Sequence, residues 1–114
     1  MEFGYSITEK EKYTLINLKG NLMEKNQAGD LLEEVNRFAS DSRNFIIDLS
    51  EFKYMNSTGL NVLLNILSSA RKSGGEAVIC CVPEKIKTLL VITKLVNVFS
   101  VTDNEQLAAK ALKN

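Results

Sequence analysis

The segment that most constrains this chain is Phe45-Ile46-Ile47-Asp48-Leu49-Ser50, followed after a short link by Tyr54-Met55-Asn56-Ser57-Thr58-Gly59-Leu60. An unbroken apolar run rich in isoleucine predicts a strand covered on both faces, as in a parallel sheet. Small polar residues then make a turn, and Leu60-Asn61-Val62-Leu63-Leu64-Asn65-Ile66-Leu67 returns to a helical period. Asn56 and Ser57 therefore stand at a helix entrance, just beyond the C-terminal end of a central strand. In open α/β sheets that edge is where ligands bind. A helix start also presents unsatisfied N–H groups and a partial positive charge, which together favour an anion. A serine hydroxyl placed there can cap the helix, hold a phosphate or become phosphorylated.

On either side of this segment the pattern alternates between strand and helix. Ser6-Ile7-Thr8 and Tyr13 to Leu18 flank the polar Glu9-Lys10-Glu11-Lys12, which predicts a hairpin, and Gly20 is expected to end its second strand. Ala28, Leu31, Leu32, Val35, Phe38 and Ala39 recur at helical spacing, with Asn26 as the expected cap. In the helix after Ser57, Leu60, Leu63, Leu64, Leu67 and Ala70, widened by Ile66, form the sheet-facing stripe. Asn61, Asn65, Ser68 and Lys72 recur on the far side, and Thr58, Val62 and Ser69 lie along an edge between. Gly74-Gly75 reads as a C-terminal cap. A strand from Ala77 to Val82 follows, then a helix with Pro83 in its first turn and Ile86, Leu89, Leu90 and Thr93 inward. Val98 to Val101 predicts a last strand. Asp103 with Gln106 resembles a capping box for a final helix through Leu107, Ala108, Ala111 and Leu112.

The order is β-β-α-β-α-β-α-β-α, an α/β pattern with a mostly parallel sheet. Right-handed crossovers between strands laid down in one direction put the helices largely on one face. The other face then needs the N-terminal strand, side-chain cover or a partner.

Composition narrows the chemistry. At 114 residues the chain suits one compact domain. Lys plus Arg and Asp plus Glu balance at 14 each, so no charge excess points to nucleic acid. No apolar run approaches the roughly 18 residues of a membrane span, and the first residues lack the charged and apolar regions of a signal peptide. The expected setting is cytoplasmic, with no membrane partner. The absence of histidine removes Ser-His and Cys-His catalysis and histidine-ligated metals. Neither the Walker A pattern nor Gly-x-Gly-x-x-Gly is present. Glu33 and Glu34 splay apart on a helix and make a poor acid/base pair. Cys80 and Cys81 are adjacent in an apolar run; in a strand they would point to opposite faces, and the expectation is two small buried residues and no metal. No catalytic residue and no cofactor is expected; a small hydrolase using Ser57 would lack a nearby base.

Asp48-Leu49-Ser50 and Met55-Asn56-Ser57-Thr58-Gly59-Leu60 resemble the STAS domain family, specifically its bacterial anti-sigma factor antagonists. The likeness continues through Lys72-Ser73-Gly74-Gly75-Glu76 and through Leu89-Leu90-Val91-Ile92-Thr93-Lys94-Leu95 with Phe99. It implies a single STAS-like α/β domain over residues 1–114, a mostly parallel mixed sheet of about five strands with four helices largely on one face. It further implies a partner-switching regulator of transcription whose partner is an anti-sigma factor with serine kinase activity. The phosphorylated residue carried over is Ser57. The partner-binding surface would comprise the turn Asn56, Thr58 and Gly59, the helix edge of Asn61, Val62 and Asn65, and the loop at Met23-Glu24. Asn56 stands where the family usually has Asp, and Asn61 where it commonly has Gly. These positions motivate the alternative of a STAS-like scaffold or subunit that binds a protein or small ligand without phosphorylation.

Overall fold

The computed structural model describes residues 2–39 and 44–112. Strands β1 (Gly4–Glu9) and β2 (Thr14–Leu22) form the hairpin; a 3-10 turn (Lys25–Ala28) leads into helix α1 (Gly29–Ala39). Strand β3 (Phe45–Met55), helix α2 (Ser57–Lys72), strand β4 (Ala77–Cys80) and helix α3 (Glu84–Ile92) follow. A 3-10 turn (Leu95–Asn97), strand β5 (Ser100–Thr102) and helix α4 (Glu105–Ala111) complete the order. The five strands lie in chain order, β1-β2-β3-β4-β5, with β1 antiparallel to β2 and every later pair parallel.

That order explains where the helices go. Each parallel strand is added on the same side of its predecessor, so each right-handed crossover passes over the same face. Helices α1, α2 and α3 accordingly close the larger core, in which Leu31, Val35, Leu63, Ile66, Ile86 and Leu90 meet Ile16, Phe45, Ile47, Leu49 and Ile79. Among the described residues no strand follows β5 to dictate a crossover, and α4 folds onto the opposite face. There Ala108 and Leu112 cover Leu15, Ile46, Val78 and Cys80. The face that needed cover is therefore covered by the chain's own last helix. Because successive β3 side chains alternate between these two cores, Phe45, Ile46 and Ile47 are all fully buried, as the unbroken apolar run requires.

Several boundaries differ from the sequence expectation. Gly20 does not end β2; it sits within the strand at φ +80°, where register shifts against β3 mark a bulge. A Cβ there would lie 2.0 Å from the Glu2 carbonyl oxygen. Strand β3 runs through the supposed link to Met55, because β2 pairs with it as far as Leu22↔Met55. Asn26 is not a cap; Glu24 and Gln27 form the capping box instead. Thr93 is exposed at the end of α3, its hydroxyl donating to the Leu89 carbonyl at 2.7 Å. The α4 cap is Asn104, one residue beyond Asp103, accepting from the Leu107 N–H at 2.9 Å, and Leu107 and Ala111 are exposed. The Gly74-Gly75 cap holds: the Gly75 N–H donates to Ala70 O at 2.8 Å and the Gly74 N–H to Arg71 O at 3.1 Å.

Two tyrosines tie distant elements together. The Tyr13 hydroxyl, at the hairpin, donates to the Glu105 carboxylate of α4 at 2.5 Å, and the Tyr5 hydroxyl of β1 to Glu34 of α1 at 2.5 Å. These bonds to an anion, with burial adding to them, raise both phenols from 10.0 to about 12. Between those values the folded chain keeps protons that the unfolded chain has lost. Their stabilisation is thus complete below pH 10.0 and is lost as pH rises through about 12. Urea unfolding at a series of alkaline pH values is expected to show that decline, and Tyr13→Phe to make it shallower. An equally steep decline in Tyr13→Phe would remove Tyr13 as its source.

Candidate functional site

The strand-to-helix turn is built around Asn56. Its backbone is extended (φ −108°, ψ −162°), and its side-chain Oδ1 accepts from the Thr58 N–H at 2.9 Å. Its carbonyl accepts from Leu60 N–H at 3.1 Å, the first turn of α2. A cap of this kind stabilises a helix by about 1 kcal/mol. Of the roles open to Ser57 in sequence, capping is thereby taken by its neighbour. Ser57 is the first helical residue, exposed, and among the described residues nothing hydrogen-bonds its hydroxyl. It sits where the aligned dipoles of a 16-residue helix present their positive end.

The same amide reaches backwards. Asn56 Nδ2 donates to the Met23 carbonyl at 3.0 Å, joining the turn to the loop after β2. That loop is itself ordered: the Met23 and Glu24 N–H groups both donate to Gln27 Oε1 at 2.9 Å. Met23 projects an apolar side chain that is 41% exposed, with Glu24 exposed beside it. An aspartate at position 56 could accept from Thr58 but could not donate to Met23. The amide is what allows both bonds.

Between α2 and the 3-10 turn with α1 lies a groove of about 350 Å³, lined by Lys25, Leu32, Thr58, Asn61, Val62, Leu64 and Asn65. Asn61 and Asn65 stand exposed on its rim, one helical turn apart. Val62 is only 2% exposed and forms the floor, so it belongs to the core as much as to the surface. Gly59 is buried as well: a Cβ on it would lie 2.4 Å from Met55 Cβ. Its hydrogen side chain lets α2 settle onto the end of β3. The structure therefore brings Met23, Glu24, Asn56, Thr58, Asn61 and Asn65 to one surface next to Ser57 and places Val62 and Gly59 beneath it. Lys25 and Leu32 were not legible as groove residues. Leu32 reads in sequence as core, and no local pattern singles out Lys25.

Away from this surface, Asp48, Cys80 and Cys81 offer three donor atoms within 4.8 Å of one another. Strand β4 ends at Cys80 and Cys81 adopts φ 60°, so the strand alternation expected for adjacent cysteines fails; the two sulfurs are 3.4 Å apart. Cys80 is buried and Cys81 half-buried. Burial, above all, pushes both thiols upward, Cys80 the further. Among the described residues no helix is long and apolar enough to cross a membrane.

Comparison with known proteins agrees with this architecture. Residues 5–108 match the STAS domain family. A candidate anti-sigma factor antagonist of Bordetella bronchiseptica, BtrV, is 30% identical over 71 residues, 62% of this chain and 61% of that protein's length. The crystal structure of an anti-sigma factor antagonist from Mycobacterium paratuberculosis superposes with a TM-score of 0.81 at 18% identity, covering 99% of this chain and 96% of that one. The phosphorylated form of SpoIIAA, a Bacillus cell fate determinant, superposes with a TM-score of 0.72 at 12% identity, covering 96% of this chain and all of that one (100%). The last two likenesses are of fold. With its five-stranded mixed sheet, its capped strand-to-helix turn and a family match over nearly its whole length, this chain belongs to the STAS domain family.

Proposed function

We propose that this protein is an anti-sigma factor antagonist that binds an anti-sigma factor kinase through the surface around Ser57 and is released when Ser57 is phosphorylated. The observation that carries this reading is the exposed Ser57 hydroxyl at the start of α2, without a hydrogen bond among the described residues and beside a groove with a polar rim. The name of the Bordetella relative and the phosphorylated state of the SpoIIAA neighbour support it. In the switching step the Ser57 Oγ attacks the γ-phosphorus of ATP held by the partner, the bond to the bridging oxygen breaks, and ADP leaves. The proton of the hydroxyl passes to a base supplied by the kinase.

The product carries about −1.5 to −2 charges at neutral pH. In the free protein that charge faces water and the helix dipole, a favourable contribution of about 0.3–1 kcal/mol. In the complex it would be buried against another protein, where an uncompensated charge costs about 3–5 kcal/mol, or on the order of 10²–10⁴ in affinity. The second effect is larger, so the switch works without refolding.

A second reading, constitutive binding without phosphorylation, is favoured by Asn56, which lacks the carboxylate usual in the family at this position. The two are separated by affinity capture from native lysate, with wild-type and Ser57→Ala baits, before and after adding ATP. Under the switch, ATP releases the captured partner from wild type but not from Ser57→Ala, and phosphate appears on Ser57. If wild type holds its partner through ATP treatment and Ser57 stays unmodified, constitutive binding is the correct reading.

A further inference from the structure

We propose that Asp48, Cys80 and Cys81 form a site for a thiophilic divalent cation of the zinc class, on the α4 side of the sheet and separate from the Ser57 surface. In sequence the two cysteines lack a third ligand, because Asp48 lies on another strand. The sheet supplies it. Asp48 and Cys80 are register partners across β3 and β4, which puts their side chains side by side on the same face. Cys81 would point away in a continued strand. Its left-handed backbone, φ 60°, is uncommon for a residue with a Cβ, and it turns the second thiol back beside the first. The outcome is two sulfurs 3.4 Å apart with a carboxylate oxygen inside the same 4.8 Å cluster.

This spacing suits a shared ion. Two sulfurs each about 2.3 Å from a tetrahedral zinc lie about 3.8 Å apart, a separation reached by small side-chain rotations. The carboxylate is already oriented, since Asp48 Oδ1 accepts from the Ser50 N–H at 2.8 Å, the kind of outer bond that fixes a ligand. Thiolates select borderline and soft cations over Mg²⁺ or Ca²⁺. The cation itself deprotonates the thiols it coordinates. Three protein ligands leave a fourth position to water. Asp48 and Cys81 are only half-buried, which opens a route for the ion, whereas Cys80 anchors the site in the smaller core.

The test uses the full chain, fully reduced. Co²⁺ is added as a spectroscopic probe, followed by Zn²⁺ in competition, and bound metal is counted after dialysis. Wild type is expected to show a thiolate-to-cobalt charge-transfer band that Zn²⁺ abolishes, with one ion retained per chain. Cys81→Ser and Asp48→Asn are each expected to weaken Zn²⁺ at least about tenfold, with circular dichroism unchanged. Cys81 and Asp48 are chosen because substituting the fully buried Cys80 perturbs packing. Absence of the band in wild type overturns the proposal, and so does an unchanged Zn²⁺ affinity in either variant.

Discussion

Ser57→Asp is expected to weaken binding of the captured partner about a hundredfold while leaving the free protein at least as stable as wild type. The two halves of this expectation have opposite signs because they arise in different environments. Free in solution, a carboxylate at the first position of α2 interacts favourably with the helix N-terminus, by about 0.3–1 kcal/mol. Ser57 is exposed and its hydroxyl has no hydrogen bond among the described residues, so little is lost by replacing it. In a complex packed on this turn, the carboxylate is stripped of water with no cation to meet it. A single charge should reach only the lower end of the cost argued for phosphate, near 3 kcal/mol. Titration calorimetry against the partner, with thermal melts of the free variant, measures both halves. Equal affinity in Ser57→Asp would remove the switch; a destabilised variant would show that the serine matters to the fold.

Gly59→Val should lower the unfolding free energy by about 3 kcal/mol, the upper part of the range for overpacked sites. Helix propensity argues in the other direction, since glycine is the poorer helix former by a few tenths of a kcal/mol. Packing decides. The Cβ alone would lie 2.4 Å from Met55 Cβ and 3.2 Å from its Cγ and Sδ. Met55 is fully buried and has no solvent to retreat into. Relief requires α2 to lift from the end of β3, which also moves Ser57 and Asn56. Chemical denaturation should show a lower midpoint at unchanged slope. Asn61→Ala, exposed two residues on, serves as the control and should stay within about 0.5 kcal/mol. Wild-type stability in Gly59→Val would show that the contact relaxes at no cost.

What could be read in sequence followed from which signals are local. Phe45 to Leu49 announces itself because both faces of that stretch are buried, and the stripes of α1 and α2 because a helix buries one side. The extension of β3 to Met55 was hidden for the same reason in reverse. Strand β4 pairs with Phe45 to Asp48, and beyond it Ser50, Glu51, Lys53 and Tyr54 face water, so the strand carries the polarity of a loop. Caps at Glu24 and Asn104 were misplaced by one or two residues, since neighbouring polar side chains offer equivalent oxygens and only the backbone angles choose. The position of Ser57 at a helix entrance was legible; its freedom from capping was not, because Asn56 and Ser57 compete for that role on equal terms. The meeting of Asp48 with Cys80 and Cys81 depends on sheet register and one left-handed residue, neither of which leaves a trace in local pattern.

The side chain of Asn56 spans two segments, accepting from the start of α2 and donating to the loop after β2. Its two bonds hold the Met23 loop against the first turn of α2, so the surface proposed for the partner presents both as one template rather than as two independent pieces. Exchanging the amide for a carboxylate keeps the cap but releases the loop. The Nδ2 atom is thus a tie between the two halves of the surface that a carboxylate cannot replace.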